Sequence, residues 1–173
     1  GTPYIKSYNS RGGSDIHLFL DRRHSGRSSL CDDTVLEVFL CMIYSGIHTG
    51  QRLILHGYPG WENRTIETRK EFNDLYLSTL LMEFDALDLG EIRDIPPQDG
   101  LYIVTGLPDY KLLDEHYRGG SIDHLITVTQ GRPADELLRI RTLIMNLRLY
   151  GTDVTELPSS GTVRDDMLCQ LYS

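Results

Sequence analysis

Four short, almost uniformly apolar runs constrain this chain more than any other feature: residues 15–21 (DIHLFLD), 52–56 (RLILH), 101–105 (LYIVT) and 123–129 (DHLITVT). Successive side chains of a strand point to opposite faces, so a strand wetted on one side alternates polar with apolar residues. These runs do not alternate, and each reads as a strand covered on both faces. Between them, apolar residues recur at three- and four-residue spacing. Asp32 and Asp33 precede Val35, Leu36, Phe39, Leu40, Ile43 and Tyr44, the pattern of an acid-capped helix stopped at Gly46. Pro133 opens another helix, whose apolar positions run from Leu137 to Leu149 before Gly151. Asp109 is placed to cap a short helix ending at Gly119-Gly120; a strand is expected over 152–157 and a closing helix over 163–172. Residues 67–89 fit two periods: Phe72, Leu75, Tyr76 and Leu80 a helix, and Leu75, Leu77, Thr79 and Leu81 a strand. The helix is preferred. Strands alternating with helices, each strand buried on both sides, predict an α/β fold that is doubly wound, with a mostly parallel sheet and helices on both faces. The 173 residues are expected to form a single α/β domain, with 1–14 an N-terminal extension or edge strand. A chain of this length buries roughly 70% of its unfolded surface, so no disulfide or metal staple is required.

Charge narrows the partners. Seventeen Lys and Arg stand against 25 Asp and Glu, a formal charge of −8. A protein that grips a phosphate backbone needs clustered cations, so nucleic acid is not the expected partner. No run approaches the roughly 20 apolar residues of a membrane span, and no membrane insertion is expected. Cys31, Cys41 and Cys169 form an odd, widely spaced set without a C-x-x-C pair. That usage points to an intracellular, cytoplasmic location, with an extracellular one left open.

In parallel sheets the working surface lies beyond the carboxyl ends of the strands. Here those ends are residues 21–29, 57–63, 106–109 and 130–132. The first loop runs Asp21-Arg22-Arg23-His24-Ser25-Gly26-Arg27-Ser28-Ser29 and admits three chemistries. Asp21 with nearby hydroxyls suits a hard divalent cation. Asp21 alone suits a phosphoryl acceptor or a metal ligand of a phosphotransferase. Gly26 with Arg22, Arg23 and Arg27 suits a phosphate. A solvated connector stands beside all three. The turn Tyr58-Pro59-Gly60-Trp61 sets the sole tryptophan next to a tyrosine, a composition favoured at interfaces, with a Trp tucked over the core edge as its alternative. His56 ends a strand at the same rim and is the best-placed general base. No G-x-S-x-G, G-x-G-x-x-G or G-x-x-x-x-G-K-[ST] pattern occurs.

Asp15-Ile16-His17-Leu18-Phe19-Leu20-Asp21, followed by Ser25 and an amphipathic helix, resembles the first strand and metal loop of a von Willebrand factor type A (vWA) domain, whose loop pattern is Asp-x-Ser-x-Ser. Two segments compete for that family's strand ending in Thr-Asp-Gly: residues 125–131 (LITVTQG), and 101–106 (LYIVTG) followed by Leu107-Pro108-Asp109. The resemblance covers residues 15–173 in element order. It implies a Rossmann-like, vWA-like fold and a metal site of Asp21 and Ser25 that takes Mg2+.

The departures disfavour that ion. Arg23 stands where the first serine belongs, and both Thr129-Gln130-Gly131 and Thr105-Gly106 lack the second carboxylate unless Asp109 moves in. The family's middle-loop threonine is matched at best by Thr79. Affinity in such sites follows the count of anionic oxygens, so Arg23 is expected to pair with Asp21 and fill the ion's position, and no cofactor is expected. The resemblance thus implies a module that binds another protein through Arg23, Ser25, Arg27, Tyr58, Trp61 and Asp109. An enzyme is the less favoured reading: a divalent-metal-dependent hydrolase or phosphotransferase using Asp21 and His56. A third is a structural or regulatory subunit, viral or intracellular, that oligomerises through its helices.

Overall fold

The computed structural model describes residues 15–26, 29–61, 64–89, 92, 95, 100–117 and 122–157. Its elements in chain order are β1 (Ile16–Leu20), α1 (Ser29–His48), β2 (Leu53–His56), β3 (Arg64–Ile66), α2 (Arg69–Thr79), β4 (Gly100–Thr105), α3 (Tyr110–Tyr117), β5 (His124–Val128), α4 (Ala134–Leu149) and β6 (Asp153–Leu157). Every residue of β1, β2, β4 and β5 is buried, as their uniform composition requires. The six strands form one sheet in the order β3-β2-β1-β4-β5-β6. All neighbours are parallel except the β2–β3 pair. The chain fills one half of the sheet outward from β1 and then returns to β4 to build the other half. The loops after β1 and β4 therefore leave from adjacent strand ends.

Alternate residues of the central strands feed two cores. Ile16, Leu18 and Leu20 of β1, with Tyr102 and Val104 of β4, pack with Val35, Phe39 and Ile43 of α1 and Leu75 of α2. Phe19, Leu101, Ile103 and Leu125 pack instead with Leu112 of α3 and Leu143 and Leu147 of α4. Each fully buried Leu, Ile or Phe contributes about 1.5–3 kcal/mol, so burial rather than helix propensity fixes the arrangement.

Several boundaries differ from the expectation. α1 begins at Ser29, so Asp32 lies inside the helix instead of capping it. Its carboxylate reaches back to the loop, accepting the Ser25 N–H at 3.3 Å and standing 2.5 Å from His24 Nδ1. Gly46 does not stop α1, which continues to His48. A Cβ at Gly46 would lie 2.6 Å from Leu53 Cδ1, so this glycine lets the helix approach β2. β3 has no counterpart in the sequence reading.

Residues 69–79 are helical, which settles the ambiguous stretch for its first half. A capping box explains the start: Thr68 Oγ1 accepts the Glu71 N–H at 3.2 Å and donates to Glu71 Oε1 at 2.9 Å. Thr68→Ala is expected to lower stability by about 1 kcal/mol in urea denaturation. The expected helix at 163–172 and the extension at 1–14 lie outside the described residues. Among the described residues no helix is long and apolar enough to cross a membrane.

Candidate functional site

β1 extends its pairing one step past Leu20, with the Asp21 N–H donating to Val104 O at 2.9 Å. That bond leaves the Asp21 carboxylate between the ends of β1 and β4, 1% exposed. A carboxylate so far from water must be compensated nearly completely. Arg23 does most of this. Its Nε lies 3.0 Å from Asp21 Oδ1, its Nη2 2.8 Å from Oδ2, and its backbone N–H donates to Oδ1 at 3.1 Å. Thr105, the last residue of β4, donates its hydroxyl to Oδ2 at 2.6 Å while accepting the Leu107 N–H at 2.9 Å.

The guanidinium also faces the β4–α3 loop. Nη1 donates to Asp109 Oδ2 at 2.7 Å and Nη2 to Leu107 O at 3.1 Å. Asp109 uses its other oxygen to accept the Lys111 N–H at 3.2 Å, the capping geometry its position before α3 suggests. One cation thus bridges two carboxylates carried by loops from adjacent strands. Burial works against the charge on Arg23, but hydrogen bonds to Asp21 and Asp109 and the fields of both carboxylates outweigh it and raise its pKa above the ordinary guanidinium value. The Arg23 guanidinium therefore stays charged throughout the working pH range.

A second arginine fastens the neighbouring loops. Arg22 donates from Nε to Gly57 O at 2.6 Å, and from Nη1 to Glu83 O at 2.9 Å and Asp85 Oδ1 at 2.8 Å. Its guanidinium carbon lies 4.8 Å from the centre of the Tyr58 ring. Gly57 marks a close approach of the β2 end to β1: its φ is +100°, and a Cβ there would overlap Leu20 O.

Other expected site residues are placed differently. Trp61 is not displayed on the β2–β3 turn but is 2% exposed. It stacks on Phe39 of α1 at 5.5 Å between ring centres, with Tyr58 at 5.2 Å. Ser25 is also buried, and its Oγ has no hydrogen-bond partner among the described residues. Arg27 lies outside the described residues. Of the two rival threonines, Thr105 meets Asp21, whereas Thr129 donates to Glu156 Oε1 at 3.3 Å. Thr79 donates to Tyr76 O at 2.7 Å within its own helix region, away from the Asp21 bridge.

His56 does not hydrogen-bond to Asp21. Its Nε2 lies 2.7 Å from His17 Nδ1, and the two rings stack at 5.0 Å. Burial, followed by the field of His17, lowers the His56 pKa to about 4. Among the described residues, no three His, Cys, Asp or Glu side chains gather in a metal-binding arrangement.

Beside Asp109 opens a cavity of about 190 Å³, lined among others by Leu107, Pro108, Tyr110, Arg132 and Arg139. Arg132 closes its inner wall, donating to Gly106 O and, at 3.1 Å, to Glu136 Oε1. The sequence reading missed this cavity because its walls come from two loops and a helix more than twenty residues apart. No family model, curated protein or solved structure matches the chain.

Proposed function

We propose that the protein is a doubly wound, vWA-like interaction module in which Arg23 stands in for the metal ion of such domains, and that it binds another protein through its rim loops. The observation that carries this reading is the Arg23 bridge from Asp21 to Asp109. The strand order supports it, because doubly wound sheets with this order bind in the crevice where the order reverses, and here β1 and β4 deliver Asp21 and Thr105 to that crevice. The donor set does not fit a divalent cation: both Asp21 oxygens accept hydrogen bonds from Arg23, and a fixed positive charge lies where the ion would sit. No metal-assisted step is therefore assigned. The hydrolase reading also lacks its acid–base pair, since His56 is engaged with His17.

The partner surface consists of Tyr58, Asp109 and the cavity at Leu107 to Tyr110. That cavity joins apolar walls to a cation at Arg139, a combination suited to an aromatic or aliphatic anchor beside an acid. Trp61 acts from beneath, holding Tyr58 in place.

Restoring the serine tests the tethered-cation part. The melting temperature of the wild type is expected to ignore millimolar magnesium or manganese, whereas Arg23→Ser, which recreates Asp-x-Ser-x-Ser, gains several degrees with either ion. A metal-dependent rise in the wild type, or a flat Arg23→Ser, overturns the reading. The rim is tested by comparative pull-down: Tyr110→Asp with Arg139→Glu should lose partners that Arg52→Glu, at the opposite sheet edge, retains. Equal capture by both variants would reject the rim as the contact surface.

A further inference from the structure

The outer side of α4 breaks the usual rule for a surface helix. Ile140, Leu143, Ile144 and Leu147 are buried. At 3.6 residues per turn, Leu138, Met145 and Leu149 line up on the opposite side, where polar residues are normally found. All three are exposed, Leu149 to 80%. Arg141 and Arg148, also exposed, flank this stripe on one side, and Asp135 is the single acid on the other.

A second apolar patch lies at the end of α2. Leu75 and Thr79 turn inward, while Tyr76, Leu77, Leu80 and Leu81 turn outward, Leu81 being 91% exposed. Here the border is acidic. Asp74 is one turn before Leu77 and Glu83 follows Leu81, both exposed; Asp85, further on, is already held by Arg22. The cations of α2, Arg69 and Lys70, sit at its other end; Lys70 is about 15 Å of helix from Leu80.

The two patches lie on opposite faces of the sheet, since Leu75 of α2 joins the core shared with α1 whereas Leu143 and Leu147 of α4 join the other core. They cannot cover one another within a molecule. We infer that the α4 stripe of one copy docks on the α2 patch of a second copy, apolar on apolar with arginines against carboxylates. Charge selects this pairing: joining α4 to α4 or α2 to α2 would oppose like charges. Such a contact is heterologous, and each added copy leaves one free patch at either end, so assembly grows as a stack or closes as a ring. This inference does not depend on the rim or on Arg23.

The test uses sedimentation velocity on the full chain over a range of concentrations and salt. The α4 variant carries Leu138→Glu and Leu149→Glu; the α2 variant carries Leu77→Lys and Leu81→Lys. Circular dichroism and thermal melting verify that both fold. The wild type is expected to grow beyond a dimer with concentration and to shrink as salt rises. Each variant alone should remain monomeric to at least tenfold higher concentration. Mixed one to one, the variants should form a heterodimer and stop, because only one intact patch of each kind remains. A wild type that stays monomeric, a wild type that halts at a dimer, or folded variants that fail to pair on mixing would each overturn the inference.

Discussion

Arg23→Ala is expected to lower the unfolding free energy by about 3–5 kcal/mol at pH 7, the usual cost of removing one partner from a buried ion pair. The Asp21 carboxylate would keep only the Thr105 hydroxyl and the backbone N–H of residue 23, too little to replace the water it has lost. Asp109 would lose its cation at the same time, a smaller effect because that side chain is partly solvated. With domain stabilities of about 5–15 kcal/mol, the variant would stand near its folding limit. Arg23→Lys should recover only part of the loss, since one ammonium cannot span both Asp21 oxygens and also reach Asp109. The double change Asp21→Leu with Arg23→Met should be milder than Arg23→Ala alone, because it removes the charge together with its partner. Urea midpoints rank the three. A small effect for Arg23→Ala would show that the bridge contributes nothing to the fold.

Acid is the second strong lever. His56 and His124 are both held at a pKa of about 4 in the fold, against 6.5 for an ordinary histidine. Desolvation is the leading cause in each case; the field of His17 adds to it at His56, and Asp153 opposes it at His124. Below pH 6.5 the unfolded chain therefore takes up protons that the folded chain refuses. Stability present in full above that pH is lost as pH falls toward 4, by about 2 kcal/mol per histidine at pH 5. His124→Gln, which can still meet Thr155 at the position where His124 Nε2 now lies 2.8 Å away, should remove about half of this dependence. Denaturation at pH 7 and pH 5 decides the matter. A wild type equally stable at both values would contradict it.

The four apolar runs were legible because strands buried on both faces leave a trace in composition, and the structure buries every strand residue within them, leaving only Arg52 exposed and Asp15 and Asp123 half-buried at the ends. β3 left no such trace: Arg64, Thr65 and Ile66 are too few to show a period, and only Ile66 is fully buried. The start of α1 was misplaced because carboxylates are favoured throughout a helix's first turn as well as at its cap, so Asp32 marks the region and not the residue. The aromatic turn was visible, but the direction of Trp61 is set by Phe39, on another element. Likewise Thr105 and Thr129 each end an apolar run, and what separates them is that β4 is the neighbour of β1 while β5 is not. Arg23 could be matched to Asp21 because they lie two positions apart; its bond to Asp109 spans 86 positions and becomes visible only in three dimensions.

The positive charge between Asp21 and Asp109 is covalently part of the chain, and this gives the loops a property that a borrowed ion would not. It has no dissociation equilibrium. On the proposed reading, chelators, ion starvation and swings in divalent concentration are expected to leave the β1 and β4 loops as they are, set once, when the chain folds. Only a change of codon at position 23 can empty that seat.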